Sequence, residues 1–415
     1  MILSDRQLYI GYDLDNAYSQ ISYYMMGMKG PTSVSTIVGG DNFLIPTVMY
    51  RKSNGQWIYG DEAKAYKDNK DGVYIEDILD HCLKGDSFEI DGEPVTFYSC
   101  LEIFVKKTLN LVNIARTTTE ERRKIVFTTK SLDSDMVNLL EKLSASVTQE
   151  RDTVIYQSHK DSIFHYILFQ KKELWNRDVL LFDYGPEDFI YYRLRTNRQS
   201  VPNIVYIEEH HVPHMVGLPE DKRDAAFTKV VEERVGSGEL VSCIYLTGVE
   251  YNNRWMDNSL KVVCRNRRAF IGQNLFAEGA CYKAISSEED RHDYMYLGEA
   301  KMQVNVGLMA NEAGEERYIS LIEAGGNWYD TQAGCDIILN NTDSVELIID
   351  SISGDMQTRR TFELSGLPNR PPKTTRIRLT LKPQAVDKIK VTMEDMGFGE
   401  IFRRSGKIWN FLMEY

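Results

Sequence analysis

The sequence has few cysteines and no closely spaced pair of them. Its six cysteines are scattered, and none forms a Cys-x-x-Cys motif. This spacing excludes a Cys-x-x-Cys metal or redox site, and it favours reduced, buried thiols in a cytoplasmic protein. A Gly-x-Ser-x-Gly elbow and a Walker-type phosphate loop are also lacking, which excludes the enzyme classes that depend on them.

Long apolar runs and an excess of positive charge are absent too. No stretch approaches the roughly 20 apolar residues that span a bilayer. Residues 1–10 lead directly into the first predicted strand, so we expect no signal peptide. The 415 residues carry a formal net charge of −12. Because an acidic surface repels nucleic acid and anionic lipid, we expect neither a nucleic-acid nor a membrane partner.

Two apolar strands that each end in an aspartate are the most informative feature present. Residues 8–13 open the chain with such a strand, and residues 179–183 repeat the pattern in its middle. Each strand is followed by a turn and a second strand-like segment, and this arrangement predicts a β-hairpin. The sequence therefore predicts two similar hairpins, each with an acid where its first strand ends.

The hydrophobic periodicity divides the chain into two parts. Residues 1–285 alternate strands with helices, including an amphipathic helix from about residue 98 to 115, and this indicates an α/β domain with mixed sheets. Residues 260–264 are predicted as a further strand. The polar stretch 286–297 predicts a linker. In residues 298–415, about seven short period-two segments between turns predict a β-sandwich.

The order of these elements resembles the DnaK-type, seventy-kilodalton heat-shock chaperone family of the actin-like ATPase superfamily. Ile10-Gly-Tyr-Asp13-Leu14 and Phe182-Asp183-Tyr-Gly185 are similar to the two phosphate strands of that family. Ile244-Tyr-Leu-Thr-Gly248 resembles its adenosine turn. Asp395-Met-Gly397-Phe-Gly399, which follows an apolar Gly-x-Pro turn and alternating strands, resembles the end of the family's substrate-binding domain. The resemblance covers nearly the whole chain.

The resemblance implies an actin-like (ribonuclease-H-like) domain over residues 1–285 and a chaperone-type β-sandwich over residues 298–415. It implies nucleotide contacts from Asp13, Asp15, Asn16, Asp183, Gly185 and Gly248. It further implies that Asp13 and Asp183 hold magnesium through water, and that the β domain binds a protein or peptide. We expect no helical lid after the sandwich, and little of the extra lobe that clamps adenine in the chaperones.

Both turns depart from the family's phosphate pattern. Where the family has Gly-Thr-Thr after the first Asp-Leu, this chain has Asp15-Asn16-Ala17, and the second Gly-Gly-Thr is replaced by Pro186-Glu187-Asp188. Glycines and hydroxyls bring hydrogen-bond donors to phosphate, whereas proline removes an N–H donor and carboxylates repel the anion. These departures favour a scaffold whose nucleotide chemistry is weak or lost.

Two functional hypotheses follow. The first is a cytoplasmic, chaperone-like protein-binding module on a degenerate ATPase scaffold, with weak or absent hydrolysis and no cofactor. The alternative is a divergent but active ATP hydrolase that binds ATP and Mg²⁺ through Asp13 and Asp183 and couples the nucleotide to the β domain. An aspartate that closes a buried strand also caps a turn without any ligand. The sequence leaves the oligomeric state and the identity of the partner open.

Overall fold

A computed structural model describes residues 7–36, 42–114, 122–198, 202–235, 240–252, 254–286, 293–312, 314–352 and 357–415. The chain divides into unit 1, Met1–Tyr296, and unit 2, Leu297–Tyr415. Unit 1 mixes helices with strands, whereas the described part of unit 2 is rich in strands. Among the described residues, no helix has the length and apolar character needed to cross a membrane.

The first half of unit 1 combines an antiparallel hairpin with parallel strands. Its elements are β1 (Gln7–Asp13), β2 (Tyr18–Met25), β3 (Thr32–Ser33), β4 (Ile45–Pro46), β5 (Met49–Lys52), β6 (Trp57–Tyr59), α1 (Gly60–Ala65), β7 (Gly72–Ile75), α2 (Ile78–Lys84), β8 (Ser87–Ile90), β9 (Glu93–Thr96), α3 (Phe97–Ile114), β10 (Arg122–Thr129), α4 (Ser134–Val147), β11 (Thr153–Ser158) and α5 (His159–Phe169). The main sheet has the order β11-β10-β1-β2-β3. Strand β1 is antiparallel to β2 and parallel to β10, which is parallel to β11. The segment from β4 to β9 is inserted between β3 and α3.

The second half of unit 1 repeats this arrangement. Its elements are β12 (Asp178–Tyr184), β13 (Phe189–Asn197), β14 (Asn203–His211), α6 (Glu220–Val235), β15 (Val241–Thr247), α7 (Ser259–Val263), β16 (Arg268–Ile271), α8 (Leu275–Ile285) and β17 (Tyr294–Tyr296). The sheet has the order β16-β15-β12-β13-β14-β17. Strand β12 is antiparallel to β13 and parallel to β15, which is parallel to β16. Only residues 212–219 separate β14 from α6, so the second half has no counterpart of the insertion.

Helix α8 packs closely on the first sheet. A Cβ atom at Gly11 of β1 would lie 2.1 Å from the carbonyl oxygen of Ala277 and 2.3 Å from the backbone nitrogen of Cys281. Only glycine at this position therefore lets the helix approach the strand. As a result, α8 from the second half lies against the hairpin of the first half and brings Phe276 close to it.

Unit 2 consists of two four-stranded antiparallel sheets. Its strands are β18 (Val304–Glu312), β19 (Glu315–Ile322), β20 (Ala333–Leu339), β21 (Ser344–Ser351), β22 (Gln357–Glu363), β23 (Thr375–Ala385), β24 (Lys388–Gly397) and β25 (Ile408–Glu414). The orders are β19-β18-β21-β22 and β20-β23-β24-β25. Alternate residues of β23 and β24 are buried, as period-two segments predict. The Phe362 and Phe411 rings, one from each sheet, lie 5.0 Å apart between centroids.

The Asp-x-Gly-x-Gly segment has a structural role in unit 2. Both oxygens of the Asp395 carboxylate accept hydrogen bonds of 2.8 Å from the Arg370 guanidinium. The backbone nitrogens of Gly397 and Ser405 each donate to it over 2.9 Å. Burial alone would raise the pKa of Asp395, but these donors hold it well below its usual range. The carboxylate thus fixes the loop between β24 and β25.

The hairpins and the long helix predicted from sequence are confirmed by β1–β2, β12–β13 and α3. The strand predicted at residues 260–264 is wrong, because Ser259–Val263 is helix α7. The Asp224 carboxylate accepts hydrogen bonds from the backbone nitrogens of Asn258 (2.8 Å) and Ser259 (2.7 Å). A carboxylate at this end of a helix satisfies N–H groups that have no partner inside the helix.

The end of the predicted linker also needs correction. Residues 287–292 of that stretch lie outside the described residues, but Tyr294–Tyr296 form strand β17, parallel to β14. The Tyr296 side chain is buried and contacts the core of the second sheet. Apolar residues at the end of the polar stretch thus complete a sheet. In unit 2, strand β25 was not among the segments predicted from the sequence.

Candidate functional site

The two aspartate-ended hairpins meet at one cleft in unit 1. The cleft is lined by all six residues predicted to contact nucleotide, namely Asp13, Asp15, Asn16, Asp183, Gly185 and Gly248. Asp13 is the last residue of β1, and Asp183 is the penultimate residue of β12. Because these strands hold the same place in their sheets, the two carboxyl groups reach the cleft from equivalent positions.

Gly248 brings a third segment to the cleft. Its φ of 106° lies in the region that favours glycine, and a Cβ atom there would be 2.3 Å from the carbonyl oxygen of Tyr184. The turn after β15 can therefore lie directly against the end of β12. This close approach places Thr247 and Val249 among the residues that line the cleft.

A buried histidine pairs with the carboxylate of Asp13. The Nε2 atom of His159, the first residue of α5, lies 2.7 Å from Asp13 Oδ1. The imidazole stacks on the Phe276 ring, with centroids 3.9 Å apart and planes inclined by 8°. The capping box of Ser158 and Asp161 fixes this first turn of α5. The structure thus holds the imidazole rigidly against Asp13.

Burial and pairing raise the pKa of both Asp13 and His159. Burial raises the pKa of Asp13, and the charge and hydrogen bond of His159 offset only part of that increase. Burial would lower the pKa of His159, but the charge and hydrogen bond of Asp13 and the charges of Asp15 and Asp183 together outweigh it, so the imidazole holds its proton more tightly than a free histidine. Asp13 is therefore already engaged by a positive group of the chain itself.

Lys130 links the turns of the two hairpins. It directly follows β10, and its Nζ atom lies 3.0 Å from Asp188 Oδ2 and 3.3 Å from Asp15 Oδ2. Burial would lower the pKa of Lys130, but these two carboxylates keep it above its usual value. The ammonium group stands between the acidic turns that follow β1 and β12.

Asp183 has no such counter-charge at hydrogen-bond distance. Within the described part of the chain, its side chain accepts no hydrogen bond, although the residue is only 8% exposed. Burial raises its pKa to about 7, a change that His159 and Lys130 reduce and Asp188 adds to. Burial therefore keeps this carboxyl group protonated to a higher pH than an exposed aspartate.

Asn16 and Gln20 both donate hydrogen bonds to other residues of unit 1. The Asn16 amide donates to Asp77 Oδ1 over 3.0 Å, so it contacts the inserted segment. The Gln20 amide donates to the carbonyl oxygen of Gln273 over 2.6 Å. The buried Oε1 atom of Gln20 has no hydrogen-bond partner among the described residues.

The cleft is small, and Lys130 and His159 pair with three of the five acidic side chains that line it. Its volume is about 80 Å³, which corresponds to a few water molecules and is well below the several hundred Å³ of typical ligand pockets. The described residues contain no group of three His, Cys, Asp or Glu side chains placed to hold a metal ion. The cleft therefore has to widen before it can hold a nucleotide.

The sequence did not identify the two positive groups of the site. His159 is separated from Asp13 by 146 residues, and Lys130 from Asp188 by 58. His159 follows a Ser that caps a helix, a signal that predicts the helix but not the partner of its first residue. These ion pairs form because the fold brings together segments that are far apart in the sequence.

Two family models match the chain. Residues 30–299 match the C-terminal model of a family of unknown function, DUF5716, and this match covers well over half of the chain. The chain belongs to the DUF5716 family. Residues 301–415 match a domain of unknown function, DUF8552. A comparison with curated proteins gave no match.

The cleft lies mainly in the DUF5716 match. That match includes Lys130, His159 and Asp183, whereas Asp13 and Asp15 precede it. The junction of the two matches lies within a few residues of the division between unit 1 and unit 2. The DUF8552 match thus corresponds to the strand-rich unit 2.

Proposed function

We propose that this DUF5716-family protein is a protein-binding module on an actin-like, chaperone-type scaffold that has lost effective ATP hydrolysis. The observation that carries the proposal is Lys130, which lies 3.0 Å from Asp188 and 3.3 Å from Asp15 across the cleft. A positive side chain of the protein thus pairs with both acidic turns, at the place where the chaperones that this chain resembles hold a metal and phosphates. The ion pair of His159 with Asp13 supports the same conclusion.

The sheet topology supports an actin-like scaffold. Each half of unit 1 has a central strand with an antiparallel hairpin on one side and two parallel strands on the other. This duplicated order is the one expected of two ribonuclease-H-like halves. Because only residues 212–219 connect β14 to α6, the topology also favours a second half that lacks the adenine-clamping lobe.

A groove in unit 2 supports the binding of a peptide. Its volume is about 840 Å³, and its lining includes residues of β18, β19, β20 and β21. The apolar side chains among them include Leu308, Ile319, Ile337, Ile338 and Val345. Strands β19 and β20 lie at the edges of their sheets. An extended chain can bind such a groove with apolar side chains inside and backbone groups at the strand edges.

Peptide binding by unit 2 can be tested with a matched pair of variants. Ile338 is 53% exposed and lines the groove, whereas Ile408 is 56% exposed and is not among the groove's lining residues. We expect Ile338→Asp to weaken binding of a fluorescein-labelled peptide with a central leucine-valine run at least tenfold. Ile408→Asp should leave the binding unchanged. Equal effects, or no binding by the parent protein, would refute this part of the proposal.

The second candidate is an active ATP hydrolase, and one observation favours it. Asp183 faces the cleft without a hydrogen-bond partner among the described residues, and its pKa is raised to about 7, which suits a general base near neutral pH. Phosphate release from Mg-ATP distinguishes the two functions. An inactive scaffold releases no phosphate above the buffer control. An active enzyme releases phosphate, and Asp183→Asn abolishes this release.

A further inference from the structure

The two edges of the second sheet of unit 1 differ in how they are protected. At one edge, β14 is covered by β17, which pairs with it in parallel. At the other edge, β16 pairs with β15 alone among the described strands. An uncovered edge strand presents backbone N–H and C=O groups to which an extended chain can add as a further strand.

The open edge is apolar as well as unpaired. In the register with β15, Arg268 is opposite Cys243 and Phe270 is opposite Tyr245, so these four residues share one face of the sheet. Phe270 is 40% exposed and Ile271, on the other face, is 54% exposed. Edge strands usually carry charges that prevent pairing; β16 carries one, Arg268, beside two large exposed apolar side chains.

Phe270 begins a continuous row of aromatic rings. Its ring stacks on Tyr245 at 5.4 Å, and Tyr245 meets Tyr166 at 5.6 Å between centroids. The row continues through Tyr282 at 6.2 Å to Phe169, which stacks on Tyr282 at 4.4 Å. Phe169 is 41% exposed, so both ends of this aromatic row reach the surface. Rings of this kind supply large contact area at low entropic cost.

The charge beside the edge is positive, in contrast to the rest of the protein. Arg265, Arg267 and Arg268 fall within four residues of a chain whose net charge is −12. Within the described part of the chain, none of the three pairs with a carboxylate, and the buried Nη1 atom of Arg267 has no hydrogen-bond partner. Burial and the neighbouring charge of Arg265 lower the pKa of Arg267. An acidic group bound here would relieve that repulsion.

We propose that the β16 edge is a docking site for an extended, acidic segment of a partner protein, which adds to the sheet as a strand. The backbone of the segment pairs with β16, its carboxylates pair with the arginines, and an apolar side chain packs on Phe270 and the aromatic row. Charge complementarity selects this occupant over a basic or neutral one. The site is independent of the cleft and of the groove in unit 2, so it does not depend on the proposed function.

Fluorescence anisotropy of the full chain with a labelled ten-residue peptide of alternating glutamate and valine tests the site. We expect saturable binding that Arg268→Glu and Phe270→Glu each weaken at least tenfold. Arg404→Glu, the same charge change at an exposed arginine of unit 2, should have no effect. A peptide N-methylated at alternate residues should lose binding, because it cannot form the strand hydrogen bonds. Arg268 is exposed, so we expect Arg268→Glu to fold. This variant tests the site even if Phe270→Glu does not fold.

Several results would overturn the proposal. Absence of binding, equal binding of a lysine-valine peptide, or equal binding to the Arg268→Glu variant would each contradict it. Binding of single-stranded polyuridine in place of the peptide would assign the arginines to nucleic acid. Concentration-dependent dimerisation in sedimentation velocity, abolished by Phe270→Glu, would make a second copy of the chain the occupant.

Discussion

Asp13 and Asp183 end equivalent strands of the two halves of unit 1, yet their electrostatic surroundings differ. Asp13 has the buried imidazole of His159 at 2.7 Å. Asp183 is equally hidden from solvent, but its carboxylate accepts no hydrogen bond from the described residues. The same fold thus presents one neutralised acid and one acid that burial keeps partly protonated.

This difference shows that the topology sets the position of each carboxylate, whereas the neighbouring side chains set its charge state. In the first half, α5 begins with a histidine directly beside β1. In the second half, α8 begins with Leu275 and Phe276, which carry no charge. The Phe276 ring instead packs on His159 and supports the pair in the first half. The first half therefore supplies the counter-charge, the His159 imidazole, and the second half supplies the Phe276 ring that packs against it.

The largest effect is expected from removal of the counter-charge at Asp13. His159→Ala leaves a buried carboxylate without its partner, which typically costs about 3–5 kcal/mol of folding free energy. Urea unfolding at pH 6 measures the loss. The double variant Asp13→Asn/His159→Ala should recover part of it, because no charge remains buried. A loss below about 1 kcal/mol in the single variant would show that the pair contributes little.

The same substitution at the two aspartates should have opposite effects on stability. At pH 8, Asp183→Asn removes a costly buried charge and should stabilise the protein by about 2–4 kcal/mol, since each pKa unit corresponds to about 1.4 kcal/mol. Asp13→Asn loses a charge-assisted hydrogen bond and should destabilise it by about 1.5–3 kcal/mol. Urea unfolding midpoints of the two variants compare them directly. Shifts of the same sign would refute the comparison.

The pH dependence of stability should separate the two sites. The pKa of Asp183 in the folded protein is raised to about 7, so the stability it contributes is present at low pH and falls as pH rises from about 4 to about 7. His159 also has a raised pKa, so its contribution is complete below about 6.5 and is lost as pH rises further. Asp183→Asn should reduce the slope only in the acidic part of the profile, where Asp13, whose pKa is also raised, contributes the remainder. Identical profiles between pH 4 and 9 would contradict the assignment.

The smallest effect is expected at the bridge between the two turns. The Lys130 side chain is 43% exposed, so solvent screening limits its ion pairs to about 0.2–1 kcal/mol. Lys130→Ala should nevertheless lower the stability more than Lys67→Ala. The Lys67 side chain is 54% exposed, and both it and its partner Glu76 lie within the inserted segment. Thermal unfolding of both variants in low salt provides the comparison. A larger cost for Lys67→Ala would show that Lys130 does not join the turns.

The sequence predicted what local patterns encode. Apolar runs ending in Asp13 and Asp183 predicted the two hairpins, and helical spacing around Phe104 predicted α3, because burial imposes these periodicities. Short apolar runs were ambiguous. Residues 260–264 suit a strand or a helix equally, and the Asp224 carboxylate, which lies far away in sequence, favours the helix.

The site was predicted in part for the same reason. All six residues placed at a nucleotide site line one cleft, since strand ends of equivalent topology meet there. The ion pairs formed by His159 and Lys130 join segments far apart in the chain, and no local pattern identifies such partners. The two ion pairs at the cleft therefore became visible only in three dimensions.

Calorimetric titration with ATP and ADP, with and without magnesium, tests the central claim most directly. If Lys130 and His159 already neutralise the cleft, neither nucleotide should give heats above dilution at millimolar concentration. Binding tighter than about 100 μM, which corresponds to about −5.5 kcal/mol, would contradict this account and favour the active ATP hydrolase.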